Sequence, residues 1–294
     1  MPFVFIHILF NLNASIGYLS IALVNFFKSL FPYLFVFLII NQILIKTNLI
    51  NILGYILQFI CYPLFKINAK SCSLLLLSLI NGFPSSVLYS SLMIRQNETV
   101  NTNIKKIATL FFLPSLTFVF YIIKNNIDSN YFNLFIISLY LPSFSSLFIN
   151  RFKNNDEYIN FQSIKADTIE SFNNFSYIKD LKEIFSNSIL NIINILGMIT
   201  FYSIITLTIP IPFIKGLFEF SMPSLTLLNS TLDSSSKCFF LLIILTFSSL
   251  SSICQAAIYL GDLNIKISSF IKTRIVSLAL SLSIYTIGLY VLFL

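Results

Sequence analysis

The chain has 294 residues, of which 56% are apolar and 10% charged, and its mean hydropathy is +0.87. An ordinary soluble domain carries about 25% charged residues, so the composition excludes a soluble globular protein and indicates a polytopic membrane protein. The net charge of +7 comes from isolated Lys and Arg residues at the ends of apolar runs, a membrane pattern that argues against a nucleic-acid partner.

Runs of apolar residues between the charged positions predict the membrane-spanning helices. A span needs about 20 apolar residues, and the runs of about this length lie at 3–27, 30–46, 49–66, 105–124, 131–150, 188–210 and 268–292. The first run lacks the basic start of a signal peptide and is expected to be a retained helix. Two shorter pieces, 74–93 and 239–260, contain enough Ser, Gly or Gln to be re-entrant hairpins instead of simple spans.

The piece at 74–93 contains a helix break. Gly82 permits unusual dihedral angles and Pro84 removes a backbone donor, so the two interrupt a helix. In hydrocarbon an unpaired backbone group is costly, and irregular chain is tolerated only where it faces protein or a polar cavity. Transporters build solute sites from such segments. The candidate solute-binding residues here are Asn81, Gly82, Phe83, Pro84, Ser85 and Ser86. The alternative is a kink satisfied by the hydroxyl groups of Ser85 and Ser86.

A polar stretch near residues 150–187 divides the chain into a first transmembrane repeat (1–150), a linker (151–187) and a second transmembrane repeat (188–294). Apolar residues at helical spacing in 178–189 predict either an amphipathic helix on the membrane or a solvated linker helix. The segment 79–91 of the first half matches 247–259 of the second in position. The predicted fold is therefore an all-α polytopic integral membrane protein with two pseudo-symmetric, inverted repeats, each containing an interrupted or re-entrant hairpin.

Glu219 is the only acidic residue between Glu183 and Asp233 in the sequence. A carboxylate within the membrane is by default a functional candidate. Burial raises the pKa of a carboxyl group, so Glu219 is predicted to bind a coupling proton, a coupling cation or the solute. The alternative is an interfacial residue paired with Lys215 on the same helical face.

Chemistry of other kinds is not indicated. The cysteines Cys61, Cys72, Cys238 and Cys254 have no CxxC spacing and no nearby His, which argues against a metal site and a disulfide framework. The sequence has no HExxH motif, no GxSxG motif and no pair of membrane-buried acids, so we predict neither an enzyme nor a cofactor.

Four segments carry a resemblance to a known family. FPYLFVFLIINQILIKTNLINILG at 31–54, GFP at 82–84, GLFEFSMP at 216–223 and SLSSICQAAIYL at 249–260 resemble the sporulation integral membrane protein YlbJ (SpoVV) family, which has nucleoside-recognition "gate" domains. The match keeps its order from about residue 28 to the C-terminus.

The resemblance implies a protein of the outer forespore membrane, in the mother cell, that helps to move dipicolinic acid during spore formation. The implied partners are this small anionic solute, the lipid bilayer and further copies of the chain in a homo-oligomer. A sporulation membrane assembly protein without transport activity and a nucleoside-type permease are the alternatives.

The chain also departs from the family. It has NGFPSSVL where members read SGYPTGAK, and FFLPSL at 111–116 keeps Pro114 but loses both amides of a CNNPGP-like turn. In place of GLSVHAQ, the piece SLSSICQ keeps Ser251 and Gln255 and loses the His. These two residues complete the candidate site with Arg274, a family-matched cation whose planar fork suits a dicarboxylate. The alternative for Arg274 is an anchor that snorkels to the membrane surface.

Overall fold

The computed structural model describes residues 26–95, 102–153 and 156–293, together with positions 16, 17, 20, 23 and 24. Within these residues the chain forms helices and no strand. The span predicted at 3–27 lies mostly outside the described residues.

The described α-helices, in chain order, are α1 (Phe31–Lys46, preceded by a π-helical turn at Phe26–Leu30), α2 (Ile50–Phe65), α3 (Ala69–Asn81), α4 (Ser85–Arg95), α5 (Thr102–Leu110), α6 (residues 116–126, with a π-helical stretch Val119–Ile123), α7 (Ser129–Asn150), α8 (Phe161–Asn173), α9 (Tyr177–Ile205), α10 (Pro212–Phe218), α11 (Ser221–Leu228), α12 (Ser234–Phe247), α13 (Leu250–Leu260) and α14 (Ile267–Phe293). Short 3-10 turns at Arg151–Lys153 and Thr206–Thr208 follow α7 and α9.

Four helical stretches in the described chain are long and apolar enough to cross a membrane. They are Ser129–Lys153, Tyr177–Ile205, Ser234–Leu260 and Ile267–Leu292. Three of them confirm the spans predicted at 131–150, 188–210 and 268–292. The second begins at Tyr177, so the separate amphipathic helix predicted at 178–189 is instead the first part of α9.

Side-chain contacts define two ends of the helix bundle. At the first, the linker end, Lys46 pairs with Asp180 (2.8 Å) and Arg95 pairs with Asp262 (2.8 Å). At the opposite, far end, the Ser234 hydroxyl donates to Asp128 (2.8 Å), so α7 and α12 both start there. The basic residues on segments at the linker end include Lys46, Lys66, Lys70, Arg151, Lys153, Lys165, Lys179 and Lys182, whereas those on segments at the far end include Lys28, Lys124 and Lys237.

Helices α3 and α4 form a helical hairpin in the segment where the sequence predicts a re-entrant one, at 74–93. α3 starts at the linker end, where the Asn68 N–H donates to Asp156 (3.3 Å). α4 returns to the same end, where Arg95 meets Asp262. The turn between them, residues 82–84, is buried and contains a cis Phe83–Pro84 peptide bond.

The span predicted at 49–66 is wrong. The 16 residues of α2 are bent by 82° from α1, so the two together make at most one broken span. Both ends of α2 lie beside the linker, because the Asn48 amide donates to the Ser171 hydroxyl and Asn68 contacts Asp156. α2 therefore runs along the linker end of the bundle and does not cross it.

Two further apolar runs differ from their predicted form: a predicted span is broken, and a predicted hairpin is a span. The span predicted at 105–124 divides into α5 and α6 around the irregular segment 111–115, where Pro114 cannot donate a backbone hydrogen bond. The hairpin predicted at 239–260 is a span that continues through Ser248 and Ser249, two residues with positive φ. Because 79–91 forms a hairpin and 247–259 a span, the pseudo-symmetric repeat is not confirmed.

The core consists of two apolar clusters. One lies among α5, α7, α12, α13 and α14 and includes Phe112. The other lies among α1, α3, α4, α5 and α9 and includes Phe111. The interruption between α5 and α6 therefore sits where the two clusters meet.

Candidate functional site

Three helix interruptions meet inside the bundle. The Phe83 N–H donates to the Leu113 carbonyl (2.8 Å), and the Ser248 hydroxyl donates to the Phe112 carbonyl (3.0 Å). The turn of the hairpin and the break in the α12–α13 span therefore both contact the segment between α5 and α6. We call this meeting point the junction and define it as residues 82–84, 111–115 and 248–249.

Local sequence explains each interruption. Gly82 has φ +70°, and a Cβ atom at this position would overlap the Ser115 backbone, so only glycine fits. Ser115 caps α6 by accepting a hydrogen bond from the Phe118 N–H (3.1 Å). Ser249 starts α13 in the same way, by accepting from the Ser252 N–H (3.4 Å).

Arg274 binds the broken end of α5. Its guanidinium donates to the carbonyl groups of Phe112 (2.6 Å), Leu110 (3.2 Å) and Thr109. A cation is favourable at the C-terminal end of a helix, where the backbone carbonyls carry partial negative charge. The Arg274 side chain is 0% exposed, so its interpretation as a snorkelling anchor is wrong.

Other side chains donate to carbonyl groups around the junction. The Ser143 hydroxyl donates to Leu110 (2.7 Å), the Tyr140 hydroxyl to Pro114 (3.0 Å), and the Ser86 hydroxyl to Ala108 (3.1 Å). Several carbonyls freed by the break therefore bind protein donors. The role of Arg274 in holding a dicarboxylate stays a prediction, since its two terminal nitrogens contact the backbone.

Asn81 belongs to a polar network beside the junction. Its side-chain oxygen accepts a hydrogen bond from the Asn41 amide (3.1 Å), which also donates to the Tyr89 hydroxyl (2.8 Å). Sequence reasoning missed Asn41 and Tyr89. The available signal was the isolated amide of Asn41 within a long apolar run.

Ser251 and Gln255 lie on α13, which packs against α4 of the hairpin. Both are buried, and the Gln255 amide donates to the Ser251 hydroxyl (3.3 Å). The structure therefore places the predicted residues Asn81–Ser86, Ser251, Gln255 and Arg274 on elements that surround one junction.

Glu219 lies elsewhere, in the segment 206–233 between two spans. Its carboxylate caps α11, accepting from the Ser221 N–H (2.9 Å), the Ser221 hydroxyl (2.6 Å) and the Met222 N–H (3.3 Å). The side chain is 2% exposed. Burial raises the pKa of Glu219, and the hydrogen bonds from Ser221 and Met222 oppose this shift without cancelling it.

A cavity of about 330 Å³ lies next to Glu219. Its lining residues are Ser203, Thr206, Leu207, Pro210, Pro212, Lys215, Glu219, Met222, Pro223 and Thr226. Phe220, the residue after Glu219, contacts the junction, because its ring lies against that of Phe83 with centroids 4.6 Å apart. The structure thus divides the predicted site between the junction and a neighbouring cavity. Of the residues that line this cavity, sequence reasoning had singled out Glu219 and Lys215.

No group of three or more His, Cys, Asp or Glu side chains in the described part of the chain could hold a metal ion.

The helices and the buried polar junction define an all-helical integral membrane protein, with four described helices suited to crossing a membrane. A scan against protein-family models finds no match to the chain, and searches of curated proteins and of solved structures find none either. The resemblance to the YlbJ family therefore stays a prediction.

Proposed function

We propose that the protein is a membrane transporter, or the membrane component of one, for a small anionic solute. The observation that supports this proposal is the junction, where interruptions from both halves of the chain meet in the interior. Interrupted segments that meet within the membrane are the usual place of solute sites in transporters. The resemblance to the YlbJ family suggests dipicolinic acid as the solute and the outer forespore membrane as the location.

The donors around the junction suit an anion. Ser86, Ser248 and Arg274 bind backbone carbonyls in the described conformation. Hydroxyl and guanidinium groups are also donors that bind carboxylates, and Arg does so with two parallel hydrogen bonds. In the proposed cycle, the carboxylates of the solute replace some of these carbonyls when the junction opens.

Glu219 is the proposed coupling residue. It is buried, it lines a cavity, and its neighbour Phe220 touches the junction. A carboxyl group with a raised pKa takes up a proton more readily near neutral pH, and release of that proton can accompany movement of an anion.

Uptake by liposomes containing the purified chain tests the proposal. Labelled dipicolinate is supplied with and without a proton gradient, and with and without excess nucleoside. We expect saturable uptake that the gradient increases and nucleoside does not inhibit. Glu219→Gln should abolish the response to the gradient, whereas Glu170→Gln, an exposed control on α8, should retain it.

The possible results separate the proposed functions. No uptake under any ion gradient contradicts a transporter that acts without a partner and leaves the membrane component or the assembly role. Inhibition by nucleoside instead indicates a nucleoside-type permease.

An assembly role in the spore envelope is the second candidate. It is favoured by the junction, where carbonyls freed by the breaks already bind protein side chains. A variant that loses uptake yet still supports envelope assembly would separate transport from this role. Loss of assembly in every folded variant that loses uptake would favour the second candidate.

A further inference from the structure

Helix α8 presents an apolar stripe to its surroundings. Phe161, Ile169 and Phe172 lie on one face and are 45%, 50% and 49% exposed, with Lys165 between them. Ile164 on an adjacent face is buried. The face opposite the stripe is polar, with Ser163, Asp167 and Glu170. The helix therefore has three faces, of which one packs on the protein and two point away from it.

Polar contacts fix the orientation of α8 on α2. The Asn48 amide donates to the Ser171 hydroxyl (2.7 Å), and the Gln58 amide donates to the Ile159 carbonyl (3.0 Å). Thr168 faces the same side and is buried. Because these contacts hold the helix in register, the stripe cannot turn toward the protein without breaking them.

Helix α2 is more apolar outside than inside. Its buried face includes Asn51, Gly54, Gln58 and Cys61. Its outward face carries the exposed residues Leu53, Ile56, Phe59, Ile60 and Leu64. This distribution is typical of a helix in contact with lipid, and α2 runs along the linker end and does not cross the bundle.

The exposed faces of α2 and α8 join into one surface. The Tyr55 ring contacts the rings of Phe59 (5.2 Å between centroids) and Phe161 (5.3 Å). A contiguous exposed apolar surface marks an interaction site. In this chain it lies at the end of the bundle where the spanning helices α7 and α9 have their polar ends.

We infer that α2 and α8 form an in-plane layer that binds the bilayer interface at the linker end. An interfacial helix buries its apolar face about 5–10 Å into the boundary between headgroups and acyl chains. The stripe of α8 and the outward face of α2 supply that apolar surface. Lys165 reaches lipid phosphate from within the stripe, while Asp167 and Glu170 remain in water.

Tryptophan fluorescence tests this inference, because the chain contains no Trp and each substitution introduces a single probe. The variants Ile169→Trp and Phe172→Trp report on the stripe, and Asp167→Trp on the opposite face is the matched control. Ile137→Trp, exposed midway along the spanning helix α7, is a control for deep burial in lipid. Each full-length variant is purified, checked for monodispersity and reconstituted in phosphatidylcholine vesicles with bromine at a shallow or a deep acyl position.

We expect shallow bromine to quench Ile169→Trp and Phe172→Trp several-fold more than Asp167→Trp. Deep bromine should quench Ile137→Trp most strongly. Aqueous acrylamide should quench Asp167→Trp, with emission at longer wavelength than either stripe probe.

Two results would overturn the inference. If the stripe probes respond to acrylamide as Asp167→Trp does, the stripe faces water. If they are protected from both quenchers, protein covers the stripe, such as a second copy of the chain. Phe172→Trp exchanges one aromatic side chain for another, so it provides the answer if Ile169→Trp does not fold.

Discussion

Replacing Arg274 should destabilise the whole bundle, because this side chain connects α14 to the broken end of α5. Arg274→Met removes donors from the carbonyls of Thr109, Leu110 and Phe112. Leu110 and Phe112 keep hydrogen bonds from Ser143 and Ser248. The carbonyl of Thr109 therefore suffers the largest change.

The structure sets the expected magnitude. A hydrogen bond to a charged group contributes about 1.5–3 kcal/mol, and a buried acceptor left without its donor costs about 1–3 kcal/mol. Removing a buried charge recovers part of its desolvation cost. We therefore expect Arg274→Met to lower the free energy of unfolding by about 2–4 kcal/mol. Arg274→Lys keeps the charge but loses the planar fork, so its expected loss is about 1–2 kcal/mol.

Thermal unfolding in detergent, scanned at one fixed rate, measures this effect. A loss of 1 kcal/mol lowers Tm by roughly 2–4 °C in a domain of 150–250 residues. The order of Tm should be wild type, then Arg274→Lys, then Arg274→Met. Lys272→Met, an exposed basic position on the same helix, should match wild type. The reasoning is refuted if Arg274→Met is as stable as wild type, or if Lys is the more damaging replacement.

Three further predictions follow from the junction, the charge distribution and the cap of α11. Gly82→Ala should cost about 2–4 kcal/mol, because φ is positive and the added methyl overlaps neighbouring backbone. Gly197→Ala, inside helix α9 and with open space around it, should leave thermal stability unchanged or raise it slightly; an equal loss in both variants would refute this. By the positive-inside rule, the linker end should face the cytoplasm. In a cysteine-free background, an impermeant thiol reagent should therefore label Lys124→Cys from outside and Asp167→Cys only after permeabilisation. The reverse labelling pattern would contradict this orientation. Glu219→Ala should cost about 1 kcal/mol and speed hydrogen exchange in the first turn of α11, and unchanged exchange would show that the cap is unimportant.

Sequence reasoning succeeded where one local feature decides the structure. Gly82 and Pro84 together disfavour a continuous helix, and the turn lies at these residues. The spans near 131–150 and 268–292 were predictable because their apolar runs are long enough to cross hydrocarbon.

Sequence reasoning failed where it had to predict whether a helix crosses the membrane or lies along it. α2 has an apolar outer face whether it crosses the membrane or lies along it, so hydropathy does not distinguish the two. Its direction depends on contacts of Asn48 and Asn68 with residues about a hundred positions away. The same limit applies to α9, whose first turns were assigned to the linker because they are charged.

The candidate site was predicted as a set of residues but not as a geometry. Pro114 and the serines near 248 gave a local signal for the remaining breaks. The meeting of the three breaks and the contacts of Arg274 with backbone carbonyls are long-range features. They join segments that lie up to 165 residues apart in the chain. No spacing rule in the sequence reports such contacts.

Labelling of a single cysteine at Ser251 tests most directly whether the proposed solute reaches the junction. Ser251→Cys in a cysteine-free background is a conservative change at a buried position on α13, and Asp167→Cys on α8 is the exposed control. We predict that dipicolinate changes the labelling rate at position 251 and leaves the rate at 167 unchanged. Uptake of dipicolinate by the same variant with no change in labelling at 251 would contradict the role of the junction.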